Sequence, residues 1–298
     1  MTIVALVLPD FLLIALGWAL LHLLKYREEF FSTAEQLVYY ILFPALLFGS
    51  IIRAPLSLGE ASTLLGATAA LMACGIALAW LAVPVLRPQP IIYASLAQCA
   101  YRFNTYIGLS LSLSIAGTAG QSVMAVIVGC AVPLANIAAV SSLASRRNHR
   151  ILGELLRNPL ILATIAGLTC NLLGVQLPGF AMETLQRLGA CALALGLICV
   201  GATLSVQGLG PAAKVMGWMI AVRLLAMPAA ALLICAVLPL SALEKQMLLL
   251  FSTLPTASSA YILAMRMGGD GRSVAVTMSL GTILSAITIP LWVQFAPF

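Results

Sequence analysis

LAQCAYRFNTYIGLSLS, residues 96–112, places Arg102, Asn104 and Thr105 in the middle of apolar sequence, and FSTLPTASSAYILAMRM, residues 251–267, does the same around Pro255, Thr256, Ser258 and Ser259. Polar, irregular backbone at membrane depth is tolerated only where protein buries it or where it lines a cavity. Two such interruptions at matching places in the two halves of a chain point to the substrate site of a transporter.

The membrane setting follows from composition. Of the 298 residues 62% are hydrophobic and 8% charged, and the mean hydropathy is +1.09. No soluble domain of this length hides so much apolar surface. Stretches long enough to cross a bilayer, roughly 20 residues each, recur ten times. They run Ile3–Leu24, Gln36–Ile52, Ser62–Leu86, Ile91–Ile115 and Val123–Ala144, then Pro159–Val175, Leu185–Val206, Ala213–Leu238, Lys245–Met267 and Val274–Phe295. The hydrophobicity is continuous and does not alternate, which excludes a porin-type barrel. The first stretch lacks a basic leader region and a small-residue cleavage site, so it reads as a retained span.

The expected fold is therefore an all-α membrane protein of ten transmembrane helices, arranged as two inverted five-helix repeats, with discontinuous crossing helices 4 and 9. Residues 1–144 form the first repeat, 145–157 a basic linker and 158–298 the second repeat. Pro9 and Pro159, Pro84 and Pro239, and Asn104 and Pro255 recur at offsets of 150, 155 and 151 residues. An odd number of spans per half makes the second half enter from the opposite side, which gives two exchangeable gating arrangements around one site.

Orientation is read from the loop cations. With the N-terminus outside, the inner loops hold Lys25, Arg27, Arg87, Arg146, Arg147, Arg150, Arg157, Lys214, Arg266 and Arg272, against Arg53, Arg187 and Lys245 outside. This asymmetry places both termini on the periplasmic side of a bacterial inner membrane. The net charge of +6 is then an orientation signal, and no basic domain is large enough for a nucleic-acid role. The seven cysteines fall inside spans without metal-ligand spacing, so neither a disulfide, a metal nor a cofactor is expected.

Arg102 carries the most information. Its burial costs a few kcal/mol, about 2.5 to 3.5 on insertion scales, so it must face a cavity, a partner or an anion. Binding a substrate carboxylate is the favoured role; snorkelling to the interface or pairing with Asp10 are the alternatives. Asn104 and Thr105 offer donors and acceptors where the helix unwinds, and Gly108 permits close backbone approach. Pro255 removes a donor and turns Leu254 away from helix, while Thr256, Ser258 and Ser259 satisfy the freed groups or touch substrate. Asp10 is a candidate proton site, a counter-ion for Arg102 or an interfacial residue. Arg223 is a weaker anion-site candidate, for which partnering a neighbouring helix is at least as good a reading, and Asn136 reads first as helix-to-helix glue.

The string Gln98–Leu109, QCAYRFNTYIGL, resembles the crossover of bacterial auxin efflux carriers, with its R-x-N-x-x-x-G pattern. Arg157-Asn158-Pro159-Leu160, Pro178, Pro255 and the stretch Ser285–Pro290 are similar to that family too. The resemblance covers essentially the whole chain and extends more distantly to bile acid:sodium symporters. It implies a scaffold of the first, second, sixth and seventh spans, through which homodimers form, and a transport domain of the other six. By it Asn104 and Pro255 are the crossover residues of the two broken helices, and Arg102 matches the arginine of many bacterial members. Absence of the long inner loop of the plant carriers removes their loop-based regulation.

Together these readings predict a secondary transporter in the lipid bilayer for small organic anions such as mono- or dicarboxylates, moving by an elevator-like displacement and proton-linked or uncoupled. A sodium-coupled symporter of the bile acid type is the alternative, disfavoured because Asp10 is the one acid expected well inside a span. An intramembrane enzyme would need a catalytic constellation, and GxSxG, HExxH and paired intramembrane aspartates are all missing from the sequence, as is a Walker A motif.

Overall fold

Hydrocarbon offers the backbone no water, so each segment must close its own hydrogen bonds, and this chain does so as helix. The computed structural model describes residues 3–53, 58–144, 159–204 and 212–294, and every regular element among them is helical. The helices are α1 (Ile3–His22), α2 (Glu28–Ile51), α3 (Leu58–Trp80, continued by Ala82–Leu86), α4 (Pro90–Leu96), α5 (Gln98–Tyr101), α6 (Thr105–Ala144), α7 (Pro159–Leu172), α8 (Gly179–Ala202), α9 (Ala213–Val237), α10 (Ala242–Thr253), α11 (Ser259–Arg266) and α12 (Gly271–Gln294). Seven helical stretches among the described residues are long and apolar enough to span a bilayer. The protein is thus a multi-pass membrane protein, and large side chains such as Trp80, Leu233 and Val237 point outward from it. The predicted linker 145–157 lies outside the described residues.

Local chemistry sets several helix ends. Ser241 and Glu244 form a capping box that starts α10: the Ser241 amide donates to Glu244 Oε2 at 2.8 Å and the Glu244 amide to Ser241 Oγ at 3.3 Å. At the other end Pro255 excludes helix from Leu254, whose φ and ψ are −64° and 140°. The apolar stretch Pro90–Leu143 runs 54 residues, and α6, which makes up most of it, is kinked where Gly117 adopts φ +62°, a conformation that a side chain would strain. Asn171 of α7 donates to the carbonyls of Ile51 and Ile52 at 3.1 and 3.0 Å, closing the end of α2.

Two π turns have a common cause. Val38–Leu42 in α2 and Val222–Ala226 in α9 each end two residues before a proline, Pro44 and Pro228. A proline ring collides with the carbonyl four residues back and leaves it without an amide donor, so the preceding turn widens. For Pro228 that carbonyl is Leu224, and the indole of Trp292 donates to it at 2.9 Å.

The helix starts differ from expectation in one place that matters. The second span begins at Glu28 and not near Gln36, because Phe31 and Ala34 bury one face of its first turns against the protein. Glu35 is thereby helical and half-buried. Smaller corrections are that α7 ends at Leu172 and α8 starts at Gly179.

Helices α1, α2, α7 and α8 pack on one another as a group. The α1–α8 crossing is the tightest: a Cβ on Gly17 would lie 1.9 Å from the Ile198 carbonyl oxygen, and one on Gly201 1.8 Å from that of Ile14. Backbone touches backbone here, as small residues permit in membranes. Gly201→Leu should therefore separate α1 from α8 and cost at least about 3 kcal/mol, an overpacking effect of the upper range. A thermal-unfolding midpoint unchanged in detergent micelles would contradict this packing.

Candidate functional site

Both interrupted segments break, and they break against each other. Helix α5 stops at Tyr101, Arg102 is extended (φ −72°, ψ 148°) and α6 starts at Thr105. On the other side α10 stops at Thr253 and α11 starts at Ser259. The Asn104 amide donates to the Pro255 carbonyl at 2.7 Å, and Thr256 Oγ1 donates to the Cys99 carbonyl at 2.7 Å. Gln98 Nε2 reaches the Ala260 carbonyl at 3.1 Å, and the rings of Phe103 and Phe251 meet edge to face at 4.5 Å. A Cβ on Gly108 would lie 2.7 Å from Leu254 Cδ1, so its small size lets the second break approach the first. Each broken end satisfies groups of the other, which is how unwound backbone is held at depth.

A cavity of about 380 Å³ opens beside this junction, with Arg102, Asn104, Thr105, Asn136, Ser258 and Ser259 on its wall. Arg102 is 7% exposed. Its Nη1 donates to Ser259 Oγ at 3.0 Å and its Nη2 to Asn136 Oδ1 at 2.9 Å, while Nε is buried without a partner. All its acceptors are neutral, so no carboxylate among the described residues balances the guanidinium. Asn104 Oδ1 caps α6 by accepting the amides of Tyr106 and Ile107 at 3.1 and 3.2 Å, which leaves its Nδ2 buried and unpartnered. The starts of α6 and α11 both face the cavity, and helix N-termini carry partial positive charge. Guanidinium, amide and helix ends all favour an anion at this point.

A profile of the membrane transport protein family matches residues 145–293. The chain belongs to that family, the auxin efflux carriers. It is also 27% identical over 293 residues to an uncharacterized transporter of Methanothermobacter thermautotrophicus, with 96% of each chain covered. This protein is accordingly a membrane transporter.

Other residues singled out from the sequence sit elsewhere in this auxin efflux carrier. Gly108, Pro255 and Thr256 join the two breaks and do not line the cavity. Arg223 is also off the cavity: it is 1% exposed, with Nε on the Leu254 carbonyl at 2.5 Å, Nη2 on the Phe251 carbonyl at 2.8 Å and its guanidinium over the Phe251 ring. It holds the end of α10, as cations do at helix C-termini. Asp10 is not the counter-ion of Arg102. It is 4% exposed and accepts from Ser110 Oγ at 2.7 Å, in the α1–α6 contact. Asn136 does more than join helices, since it holds Arg102 at the cavity wall.

Sequence reasoning missed Glu35. It lines the cavity and accepts from Ser258 Oγ at 3.0 Å. The acids Glu28, Glu29 and Glu35 lower the local hydropathy and so disguise the start of α2. The alternation of Phe31, Ala34 and Val38 at helical spacing was the signal available.

Proposed function

We propose that this carrier moves small organic anions, mono- or dicarboxylates, by alternating access around the junction of its two broken segments, with the substrate carboxylate on Arg102. The observation that carries this reading is the buried guanidinium on the cavity wall, whose partners among the described residues are all neutral. Asn104 Nδ2 adds a second open donor, and Thr105, Ser258 and Ser259 supply hydroxyls. The site is asymmetric: the first break provides charge and amide, the second completes the cavity.

The architecture proposed with it has ten spans in two inverted repeats, residues 1–144 and 158–298, joined by the linker 145–157. Supporting it, Pro90–Leu143 is long enough for two passes with Gly117 between them, α7 is a shorter apolar helix, and α10 and α11 together make a broken span. The mutual packing of α1, α2, α7 and α8 suits a scaffold against which the other helices shift as an elevator, and through which homodimers form. The loop cations support an orientation with both termini on the outer side of a bacterial inner membrane, and transport is proton-linked or uncoupled in this reading.

Reconstitution into liposomes tests this directly. Saturable flux of small carboxylates is expected, insensitive to sodium, and a pH gradient tells proton linkage from uncoupled movement. Absence of saturable flux for every mono- and dicarboxylate tried would reject the proposal.

A further inference from the structure

The cavity carries a second charge, of sign opposite to the first. Glu35 Oε1 accepts from Ser258, and its Oε2 has no protein partner among the described residues. Arg102 and Glu35 do not neutralise each other: the ion pair found among the described residues is the exposed Arg187–Glu183 pair. Each charge has its own serine partner from two consecutive residues, Ser259 on Arg102 and Ser258 on Glu35. Around Glu35 the wall is aromatic, with Tyr39, Phe43 and Tyr106 lining the same cavity and the Phe43 and Tyr106 rings edge to face at 4.9 Å. A carboxylate among aromatic rings is the chemistry that recognises an ammonium group, through ion pairing and attraction to the ring faces. Arg102 and Glu35 are the formally charged residues of the described lining, one of each sign. In a low-dielectric site a ligand is accommodated best when each of its charges meets the opposite one.

We propose that the cavity takes a small zwitterion, with its carboxylate on Arg102 and Asn104 and its ammonium on Glu35 and the surrounding rings. This rests on the reading that Arg102 receives a carboxylate, and it changes the favoured ligand from a net anion to a net-neutral molecule that carries that carboxylate. A dicarboxylate places its second carboxylate against Glu35, whereas a plain monocarboxylate leaves Glu35 unmatched. The cavity volume suits a molecule of amino-acid size better than a large amphiphile.

Three ligands that share a three-methylene carboxylate chain and differ in the far group separate these cases: γ-aminobutyrate (ammonium), pentanoate (methyl) and glutarate (carboxylate). Matched series one methylene shorter and longer remove dependence on length. Affinities for the purified full chain, read from ligand-induced thermal shifts at neutral pH, should favour the ammonium member of at least one series over its dicarboxylate by about tenfold or more. E35Q should shrink that ratio, chiefly by admitting the dicarboxylate. Should E35Q fail to fold, the native protein's order decides alone. Pentanoate or glutarate binding as tightly as γ-aminobutyrate in every series, or an unchanged ratio in E35Q, overturns the zwitterion proposal while leaving carboxylate binding at Arg102 standing. If no member of any series binds, both readings fall together.

Discussion

Arg102→Gln is expected to abolish most carboxylate affinity without weakening the ligand-free protein. Truncating one partner of a buried charged contact costs about 2–5 kcal/mol, so a loss of roughly 100-fold is the expected scale. The fate of the empty protein runs the other way. Arg102 is 7% exposed and balanced by neutral groups, so its burial is a standing cost of a few kcal/mol, about 2.5–3.5 on insertion scales. Ser259 and Asn136, released by the substitution, are side chains on the cavity wall that can turn toward it. The variant should therefore melt at the same temperature as the native protein or higher, while its ligand-induced shift disappears. A purely structural arginine predicts the reverse, a lower melting temperature with the shift retained. Measuring both quantities on one preparation separates the two roles.

The positions of the breaks were legible in the sequence for a physical reason: Arg102 and Asn104 cannot face lipid, and Pro255 cannot continue a helix, whatever surrounds them. That the breaks meet was foreshadowed by their equal place in the two halves, and the Asn104–Pro255 hydrogen bond shows the contact. What hydropathy could not reveal is where long polar side chains end. Glu35 was obscured because three acids within eight residues make a helix start look like a loop, although Phe31 and Ala34 bury its inner face. For Asp10 the sequence left a proton site, a counter-ion for Arg102 and an interfacial position open, and the structure pairs it with Ser110 in another helix contact. Arg223 could be read as a weaker anion ligand or, at least as well, as a partner of a neighbouring helix. Its partners are backbone carbonyls twenty-eight and thirty-one residues away, and backbone carbonyls leave no trace in residue identity.

That difference in partners gives the second large expectation, Arg223→Leu, the opposite sign from the first. Arg223 too is an arginine with no carboxylate partner among the described residues, so removing it also removes a burial cost. Its acceptors, however, are the Phe251 and Leu254 carbonyls at the end of α10, which are fixed by the helix end and by Pro255 and cannot turn to find other donors. The Phe251 carbonyl keeps the Leu254 amide at 3.4 Å, but the Leu254 carbonyl is left unsatisfied at about 1–3 kcal/mol, and the contact with the Phe251 ring adds about 1 kcal/mol more. The net expectation is destabilisation of about 1 kcal/mol, seen as a lower unfolding temperature in detergent. The Leu254 carbonyl lies one residue before Pro255, whose own carbonyl accepts Asn104, so loosening it also displaces the Asn104 amide at the cavity. Arg223→Leu should consequently weaken carboxylate binding although Arg223 touches no substrate. Arg223→Lys should restore part of the stability, because one ammonium reaches one carbonyl well but lacks the fork that holds two at once. If Arg223→Leu melted like the native protein, the end of α10 would be held by something other than this guanidinium, and the junction would not depend on it.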